Sequence, residues 1–159
     1  MTEKRKGTLR RWLKSTSNRT FIVYPLAIVA AELLIHRGAI RVDPWFAPLL
    51  PWGYLQYRLV GNYRIARGGG GPGMSNPPQR IVTTGPYRYT RNPMYLGHLI
   101  FMLGLALTFA SWIAAALLVF HLFWFHRRAL EDETQLAQLF GAQYEAYAAR
   151  VKRWIPGVL

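Results

Sequence analysis

Apolar residues are concentrated in four segments of the chain, and the stretches between them are rich in arginine. The segments cover approximately residues 21–35, 45–63, 93–109 and 112–125. Most of them are short against the length of about 20 residues that crosses the hydrocarbon core of a bilayer, so helix ends extended into the interface or local thinning must make up the difference. Because helices satisfy the backbone hydrogen bonds of such spans in lipid, the pattern predicts an all-α fold. We expect one domain over residues 1–159, an integral membrane helical bundle with about four transmembrane helices.

The first apolar segment contains Pro25, which we expect to interrupt it, and Glu32 near its far end. No small-residue cleavage site follows, so the segment is interpreted as an uncleaved span and not as a signal peptide. Glu32 has two possible roles. It either pairs with an arginine inside the bundle or reaches the nearby membrane interface.

Glycine and proline dominate the stretch between the second and third segments, residues 67–78. Such a composition excludes regular structure and predicts a loop. Glycine-rich loops can bind phosphate, and this stretch contains four consecutive glycines. However, no strand is predicted before them and no Gly-Lys-Ser/Thr follows. A flexible linker is the better interpretation.

The third apolar segment has a clear helix start. Asn92 is a good N-cap residue, and Pro93 suits the first helical position because no amide donor is needed there. The free amide groups and the positive end of the helix dipole favour an anion at this point. Arg91, Tyr95 and His98 have i, i+4, i+7 spacing and share one face. That face is either a ligand-binding surface or an interfacial belt of polar and aromatic residues.

The C-terminal part changes its periodicity at Arg128, after the turn expected at Ser111 and the fourth segment. Apolar residues at spacings of three or four predict an amphipathic cytoplasmic helix instead of another span. They are Leu136, Phe140, Tyr144, Tyr147 and Val151. Glu131, Asp132 and Glu133 form an acidic cluster at its start, which either complements the helix dipole or presents a carboxylate to a ligand.

Charge distribution gives the expected orientation. The chain is 52% hydrophobic, yet its net charge is +13. If the four segments alternate across the membrane, eighteen of the twenty basic residues fall on one side, which the positive-inside rule makes cytoplasmic. We therefore expect both termini in the cytoplasm, a basic flank over residues 1–20, and a multi-pass protein of a bacterial inner membrane. Anionic lipid headgroups are better partners for this charge than nucleic acid.

Cysteine is absent from the chain. Neither a disulfide framework nor a thiolate metal site or nucleophile is available, and we expect no metal.

Two blocks of sequence resemble the membrane methyltransferases typified by isoprenylcysteine carboxyl methyltransferase and the phospholipid N-methyltransferases. Residues 85–97, Gly-Pro-Tyr-Arg-Tyr-Thr-Arg-Asn-Pro-Met-Tyr-Leu-Gly, are similar to that family's Gly-Pro-Tyr-x-x-x-Arg-(His/Asn)-Pro-x-Tyr-x-Gly. Residues 131–156 are similar to its paired acids followed by Leu, Phe-Gly, two spaced tyrosines, Val-x-Arg and Ile-Pro. Two departures are Asn92, where carboxyl methyltransferases often have His, and Asp132, where Glu is more usual.

The resemblance implies transfer of a methyl group from S-adenosyl-L-methionine to a lipophilic acceptor, with residues 85–156 as the catalytic core. The acceptor is either an isoprenylcysteine-type carboxylate or a phospholipid amine. The implied cofactor-binding residues are Tyr87, Arg91, Asn92, Pro93, Tyr95, Gly97, His98 and Tyr144. Arg128 and Glu133 are implied on the acceptor or catalytic side, and Glu133 is the candidate base if the acceptor is an amine.

Physical chemistry supplies reasons for three of these roles. Arg91 suits the carboxylate of the cofactor. The aromatic face of Tyr95 suits its sulfonium cation, and Gly97 permits close approach of the cofactor or a neighbouring helix.

Two other classes of function remain open from the sequence. Membrane sterol reductases have a similar C-terminal helical arrangement, so an NADPH-dependent reductase is the alternative enzyme. A non-enzymatic membrane adaptor would leave the block of residues 85–97 unexplained. Binding of S-adenosylmethionine without binding of NADPH separates the methyltransferase from both.

Overall fold

A computed structural model describes residues 12, 14–71 and 73–154 of the chain. Every regular element in these ranges is helical, which confirms the all-α prediction. We label the helices α1 (Thr16–Ile35), α2 (Leu49–Gly68), α3 (Pro93–Thr108), α4 (Trp112–Phe140) and α5 (Ala142–Arg150), with a 3₁₀ turn at Gly85–Arg88. Most of the basic N-terminal flank and the Ile-Pro pair of the tail lie outside the described residues.

Two of these helices are long and apolar enough to cross a membrane by length and composition, namely α1 and α4. Helix α3 is a shorter apolar helix of 16 residues. The second predicted segment also forms a helix, α2. It begins four residues later than the apolar run and continues through three arginines to Gly68. The described residues therefore support a membrane protein with at least two candidate spans.

Helix α1 begins at Thr16 and contains a π-helical turn at Arg19–Val23 directly before Pro25. A proline ring collides with the carbonyl group four residues earlier in a regular α-helix and has no amide hydrogen to donate. The wider turn accommodates this, and the Tyr24 N–H donates to the carbonyl oxygen of Arg19. Pro25 therefore does not interrupt the helix, contrary to the sequence expectation.

The described chain divides into two compact units. The first contains the described residues up to Tyr54 together with His98–Leu118. Its apolar core is formed by Ile28, Phe101, Leu105, Ala106 and Ala114. Aromatic packing extends this core, because the ring of Phe21 lies 4.9 Å from that of Phe101 and 4.8 Å from that of His98.

Glu32 is buried in this first unit, with 6% of its surface exposed. It accepts a hydrogen bond from the Ser111 hydroxyl and lies 3.2 Å from Nε2 of His36. Within the described part of the chain, Glu32 is therefore neither paired with an arginine nor exposed at the interface, the two roles expected from the sequence. The Ser111 oxygen also accepts from the Ala114 N–H at 3.2 Å, so Ser111 caps α4 and forms the predicted tight turn after α3.

The second unit contains Leu55–Gly97 and the described residues from Val119 onward. Helix α4 continues through this region without a break, so the helix start predicted at Arg128 is wrong. No glycine, proline or capping residue lies between Phe125 and Arg128 to stop it. The break occurs at Gly141, whose φ of 51° is readily adopted only by glycine, and α5 follows.

Candidate active site

The first sequence block forms the 3₁₀ turn and the first turns of α3 in the second unit, and α3 begins at Pro93 as predicted. Gly85 opens the block with a φ of +60°, and a Cβ atom there would lie 2.7 Å from the ring of Tyr63. The hydroxyl groups of Tyr63 and Thr84 are hydrogen-bonded at 2.8 Å. Only glycine fits this close approach, which fixes the turn and leaves Tyr87 buried.

Glu133 connects the first block to the tail of the chain. Its carboxylate accepts hydrogen bonds from Nδ2 of Asn92 at 3.2 Å and from Nε and Nη2 of Arg153 at 2.9 and 3.1 Å. Nη2 of Arg91 lies 3.3 Å from the same carboxylate. The Glu133 side chain is only 12% exposed, so this four-residue network is largely shielded from water. The two blocks that carry the resemblance therefore meet in space.

Backbone groups strengthen this connection. The Arg91 N–H donates to the carbonyl oxygen of Lys152 at 3.0 Å, and the Thr90 hydroxyl donates to that of Arg153 at 2.9 Å. The hydrogen bonds to Glu133 raise the pKa of Arg153 above its ordinary value, against the effect of burial. Arg153 was not predicted as a site residue, although the Val-x-Arg element of the second block contains it.

A second polar network lies on the preceding turn of α4. The Tyr95 hydroxyl donates to Oδ2 of Asp132. Nε of Arg128 lies 3.5 Å from Oδ1 of Asp132, and Nη1 of Arg128 lies 3.4 Å from Oε2 of Glu131. Arg128 and Glu133, which the resemblance placed on the same side of the reaction, thus belong to different ion-pair networks.

Two cavities, both partly open to solvent, lie beside these networks. They share Arg64, Tyr87, Arg91 and Leu136 as lining residues. The predicted cofactor residues that line at least one of them are Tyr87, Arg91, Asn92, Pro93, Tyr95 and Tyr144. Gly97 and His98 line neither cavity, and His98 packs in the first unit against Phe21.

Two polar groups that line the first cavity are buried next to each other. The Arg91 guanidinium lowers the pKa of the Tyr144 hydroxyl, partly through a hydrogen bond, against the larger effect of burial. Nε of Arg91 is buried and has no hydrogen-bond partner in the described part of the chain. Because buried polar groups almost always have a partner, this atom is a candidate donor for a ligand or water.

The phenols of this cavity are protonated at neutral pH, and burial moves their pKa further from it. Burial raises the pKa of Tyr144 to about 12, with a further contribution from the nearby Glu133 carboxylate. Burial likewise raises the pKa of Tyr87 to about 12, and the Arg64 guanidinium opposes that rise. At neutral pH both hydroxyl groups are therefore available as hydrogen-bond donors.

A family profile and several known proteins match part of the chain. Residues 71–143 match the sequence profile of the family described as Phospholipid methyltransferase. The protein-S-isoprenylcysteine O-methyltransferase of Schizosaccharomyces pombe is 33% identical over 82 residues, which cover 51% of this chain and 35% of the relative. The corresponding enzyme B of Arabidopsis thaliana is 38% identical over 82 residues, covering 50% and 41%. No solved structure matches the chain.

Both comparisons confirm the resemblance seen in the sequence. Residues 71–143, a little under half of the chain, are similar to the phospholipid methyltransferase family. The alignments span about two-fifths or less of the length of the relatives named above. None of these matches is a sterol reductase.

Proposed function

We propose that this protein transfers a methyl group from S-adenosyl-L-methionine to a lipophilic acceptor held at the membrane. The observation that carries the proposal is the Glu133 network, which joins the two blocks beside a cavity lined by Arg91 and Tyr144. The family match over residues 71–143 and the names of the relatives agree with it.

The residues around the first cavity fit the cofactor. Nε of Arg91 and the hydroxyl group of Tyr144 are donors that suit a carboxylate. Tyr87, which lines both cavities, and Tyr95, which lines the second, offer aromatic faces for a cation. When bound, S-adenosylmethionine supplies an electrophilic methyl group on its sulfonium. Asn92 and Pro93 hold the loop that presents Arg91. Roles for Gly97 and His98 rest on the resemblance alone.

Glu133 is better suited to positioning Arg91 than to removing a proton. A carboxylate has about four lone-pair sites. Asn92, Arg91 and Arg153 already occupy those of Glu133 with four short contacts. We therefore propose that Glu133 holds Arg91 in place against the cavity.

Arg128 and Asp132 are the polar groups that we place on the acceptor side. Asp132 lines the second cavity, while the Arg128 side chain is 43% exposed at its ion pair. An acceptor that is already anionic, such as a carboxylate, needs no general base. Because the contacts to Glu133 leave it no free site to accept a proton, an acceptor that needs no base is favoured. The isoprenylcysteine-type carboxylate is therefore favoured over the phospholipid amine, in agreement with the names of the relatives.

The membrane arrangement that we propose has four spans, formed by α1, α2, α3 and the apolar first part of α4. Both termini and the loop from Arg64 to Arg91 lie on the cytoplasmic side, against anionic headgroups. The length and composition of α1 and α4 and the one-sided distribution of basic residues support this arrangement.

The direct test uses the full chain, purified into lipid nanodiscs and incubated with methyl-labelled S-adenosylmethionine. One reaction contains an N-acylated S-prenylcysteine and a second contains phosphatidylethanolamine. A methyl ester releases its label as methanol in base, whereas an N-methyl group does not, so the product identifies the acceptor. Absence of cofactor binding, together with absence of labelled product from both acceptors and from a membrane extract, would contradict the proposal.

A further inference from the structure

Met74 belongs to the glycine- and proline-rich stretch that the sequence predicts as a linker, yet it lines the second cavity of the site. None of the site residues implied by the two sequence blocks lies in this stretch. We propose that Met74 is a specificity-determining residue, which contacts the apolar chain of the acceptor in the second cavity. The inference rests on the proposed methyltransferase function and assigns one of the two cavities to the acceptor.

A short turn holds Met74 toward the site. The Asn76 N–H donates to the carbonyl oxygen of Gly73 at 3.3 Å, which closes the turn around Met74. Gly73, Ser75 and Asn76 are exposed, whereas Met74 is half-buried. Its thioether sulfur lies 3.6 Å from Nη2 of Arg64 on α2. One side chain of the turn therefore faces the cavity while its neighbours face solvent.

The two cavities differ in the elements that line them. Among the described residues, those of α3 line only the second cavity, and they are Pro93, Met94 and Tyr95. The residues that line only the first cavity come from the loop before the first block and from α4 and α5, and the loop and α5 members are Pro78, Ile81, Val82, Tyr144 and Tyr147. Helix α3 is apolar and is one of the proposed spans. A lipophilic chain that enters from the bilayer along α3 therefore reaches the second cavity.

The lining of the second cavity suits a flexible apolar chain. Met74 and Met94 come from different elements, and methionine side chains are unbranched and adapt to irregular apolar surfaces. Leu136 and Tyr95 extend the apolar lining. Asp132, one of the two polar groups that we place on the acceptor side, lines the same cavity. The acceptor's chain and its reacting end can therefore occupy one cavity.

The donors assigned to the cofactor lie at the first cavity. Tyr144 lines only this cavity, and Arg91, with its buried Nε, lines both. Tyr87 and Leu136 also line both, so the two cavities are neighbours. An acceptor in the second cavity therefore lies next to a cofactor in the first, which is the proximity that methyl transfer requires.

The test uses four single substitutions in the full chain, purified into lipid nanodiscs. Met74→Ala removes most of the side chain, whereas Met74→Leu keeps an apolar side chain of similar volume. Ile81→Ala shortens a residue that lines only the first cavity. Ser75→Ala changes an exposed neighbour of Met74 that lines neither cavity. The measurements are the affinity for S-adenosylmethionine and the kcat and KM for the acceptor that the wild type methylates, an N-acylated S-farnesylcysteine or phosphatidylethanolamine.

Met74→Ala should raise the KM for the acceptor roughly four- to fifteenfold, the effect of losing contact with one or two buried methylene groups. The kcat and the affinity for S-adenosylmethionine should stay unchanged, which also shows that the variant is folded. Met74→Leu should restore most of the KM, and Ser75→Ala should match the wild type. Ile81→Ala should show the reverse pattern, with weaker binding of S-adenosylmethionine and an unchanged KM for the acceptor.

An unchanged KM for the acceptor in Met74→Ala overturns the inference. A loss of S-adenosylmethionine affinity in Met74→Ala as large as that in Ile81→Ala overturns it as well, because Met74 would then not act on the acceptor alone. Both outcomes leave the methyltransferase proposal intact. A wild-type chain that does not bind S-adenosylmethionine would instead contradict the proposed function.

Discussion

Arg153 donates two hydrogen bonds to Glu133, from Nε at 2.9 Å to Oε1 and from Nη2 at 3.1 Å to Oε2. This side-by-side geometry is the strongest common form of an arginine–carboxylate pair. It fixes the tail of the chain to α4, and Arg91 and Asn92 contact the same carboxylate. The stability of the site and its ligand binding should therefore depend on one residue, Glu133.

Glu133→Gln should lower the free energy of unfolding by about 1.5–3 kcal/mol, because hydrogen bonds to a charged group are worth about that much. Cofactor affinity should also fall, since Arg91 loses the carboxylate that holds it. Glu131→Gln is the control: the Glu131 side chain is 56% exposed, and its pair with Arg128 should contribute less than about 1 kcal/mol. Denaturation in detergent and calorimetry measure the two effects.

A different set of effects in Glu133→Gln would give Glu133 a different role. If turnover falls while stability and cofactor affinity are unchanged, Glu133 is a proton acceptor and not a positioning residue. Equal effects of both substitutions would show that the acidic cluster acts as a whole through its charge.

Arg91→Ala should weaken binding of S-adenosylmethionine by about 1.5–3 kcal/mol if its guanidinium contacts the cofactor carboxylate. Arg88→Ala is a matched control in the same block, because Arg88 is exposed and stacks over the ring of Tyr89 at 4.9 Å. Isothermal titration calorimetry on the folded variants measures their affinity for S-adenosylmethionine. Unchanged affinity in Arg91→Ala would return Arg91 to a purely structural role beside Glu133.

Tyr144→Phe should change the stability of the ligand-free protein by less than about 1 kcal/mol, because the desolvation cost of the buried hydroxyl group offsets its interaction with Arg91. Cofactor binding should nevertheless weaken. Tyr147→Phe is the comparison, since its hydroxyl donates to the carbonyl oxygen of Tyr87 at 2.7 Å and its loss should cost about 1 kcal/mol of stability. Destabilisation by Tyr144→Phe with normal binding would exclude Tyr144 from the ligand site.

Gly85→Ala should destabilise the protein by about 2–5 kcal/mol. A left-handed backbone costs a residue with a Cβ atom about 1–2 kcal/mol. The new methyl group at 2.7 Å from the Tyr63 ring adds an overpacking cost of about 1–3 kcal/mol. Gly73→Ala, at an exposed glycine whose Cβ position is 4.0 Å from its nearest neighbour, should change stability by less than about 0.5 kcal/mol. Similar thermal unfolding of both variants would contradict the close approach at Gly85.

Reporter fusions test the proposed membrane topology. Fusions at the C-terminus and in the loop after α2 should report the cytoplasm, and a fusion between α1 and α2 should report the opposite side. The reason is the division of eighteen basic residues against two. A C-terminus on the outer side would contradict the four-span arrangement.

Local signals in the sequence were sufficient for several features of this protein. Pro93 starts α3 and Ser111 caps α4 because an N-cap residue or a helix-starting proline acts on the few residues next to it. The two blocks also identified most of the cavity-lining residues, since the family's spacing was readable directly. Gly141 belongs to the second block. That it also ends α4 is evident only from its backbone angles.

Tertiary structure decided which polar groups became partners. Glu32 meets Ser111, 79 positions away, and Glu133 meets Asn92, 41 positions away. No local pattern encodes such pairs, because they depend on how helices pack after their apolar faces are buried. Met74 was not predicted for a related reason, because only the folded turn brings this one residue of the linker to the cavity. The apolar pattern of the sequence determined the helices, and the residues themselves showed the two blocks. Long-range packing determined which charged side chains surround the site.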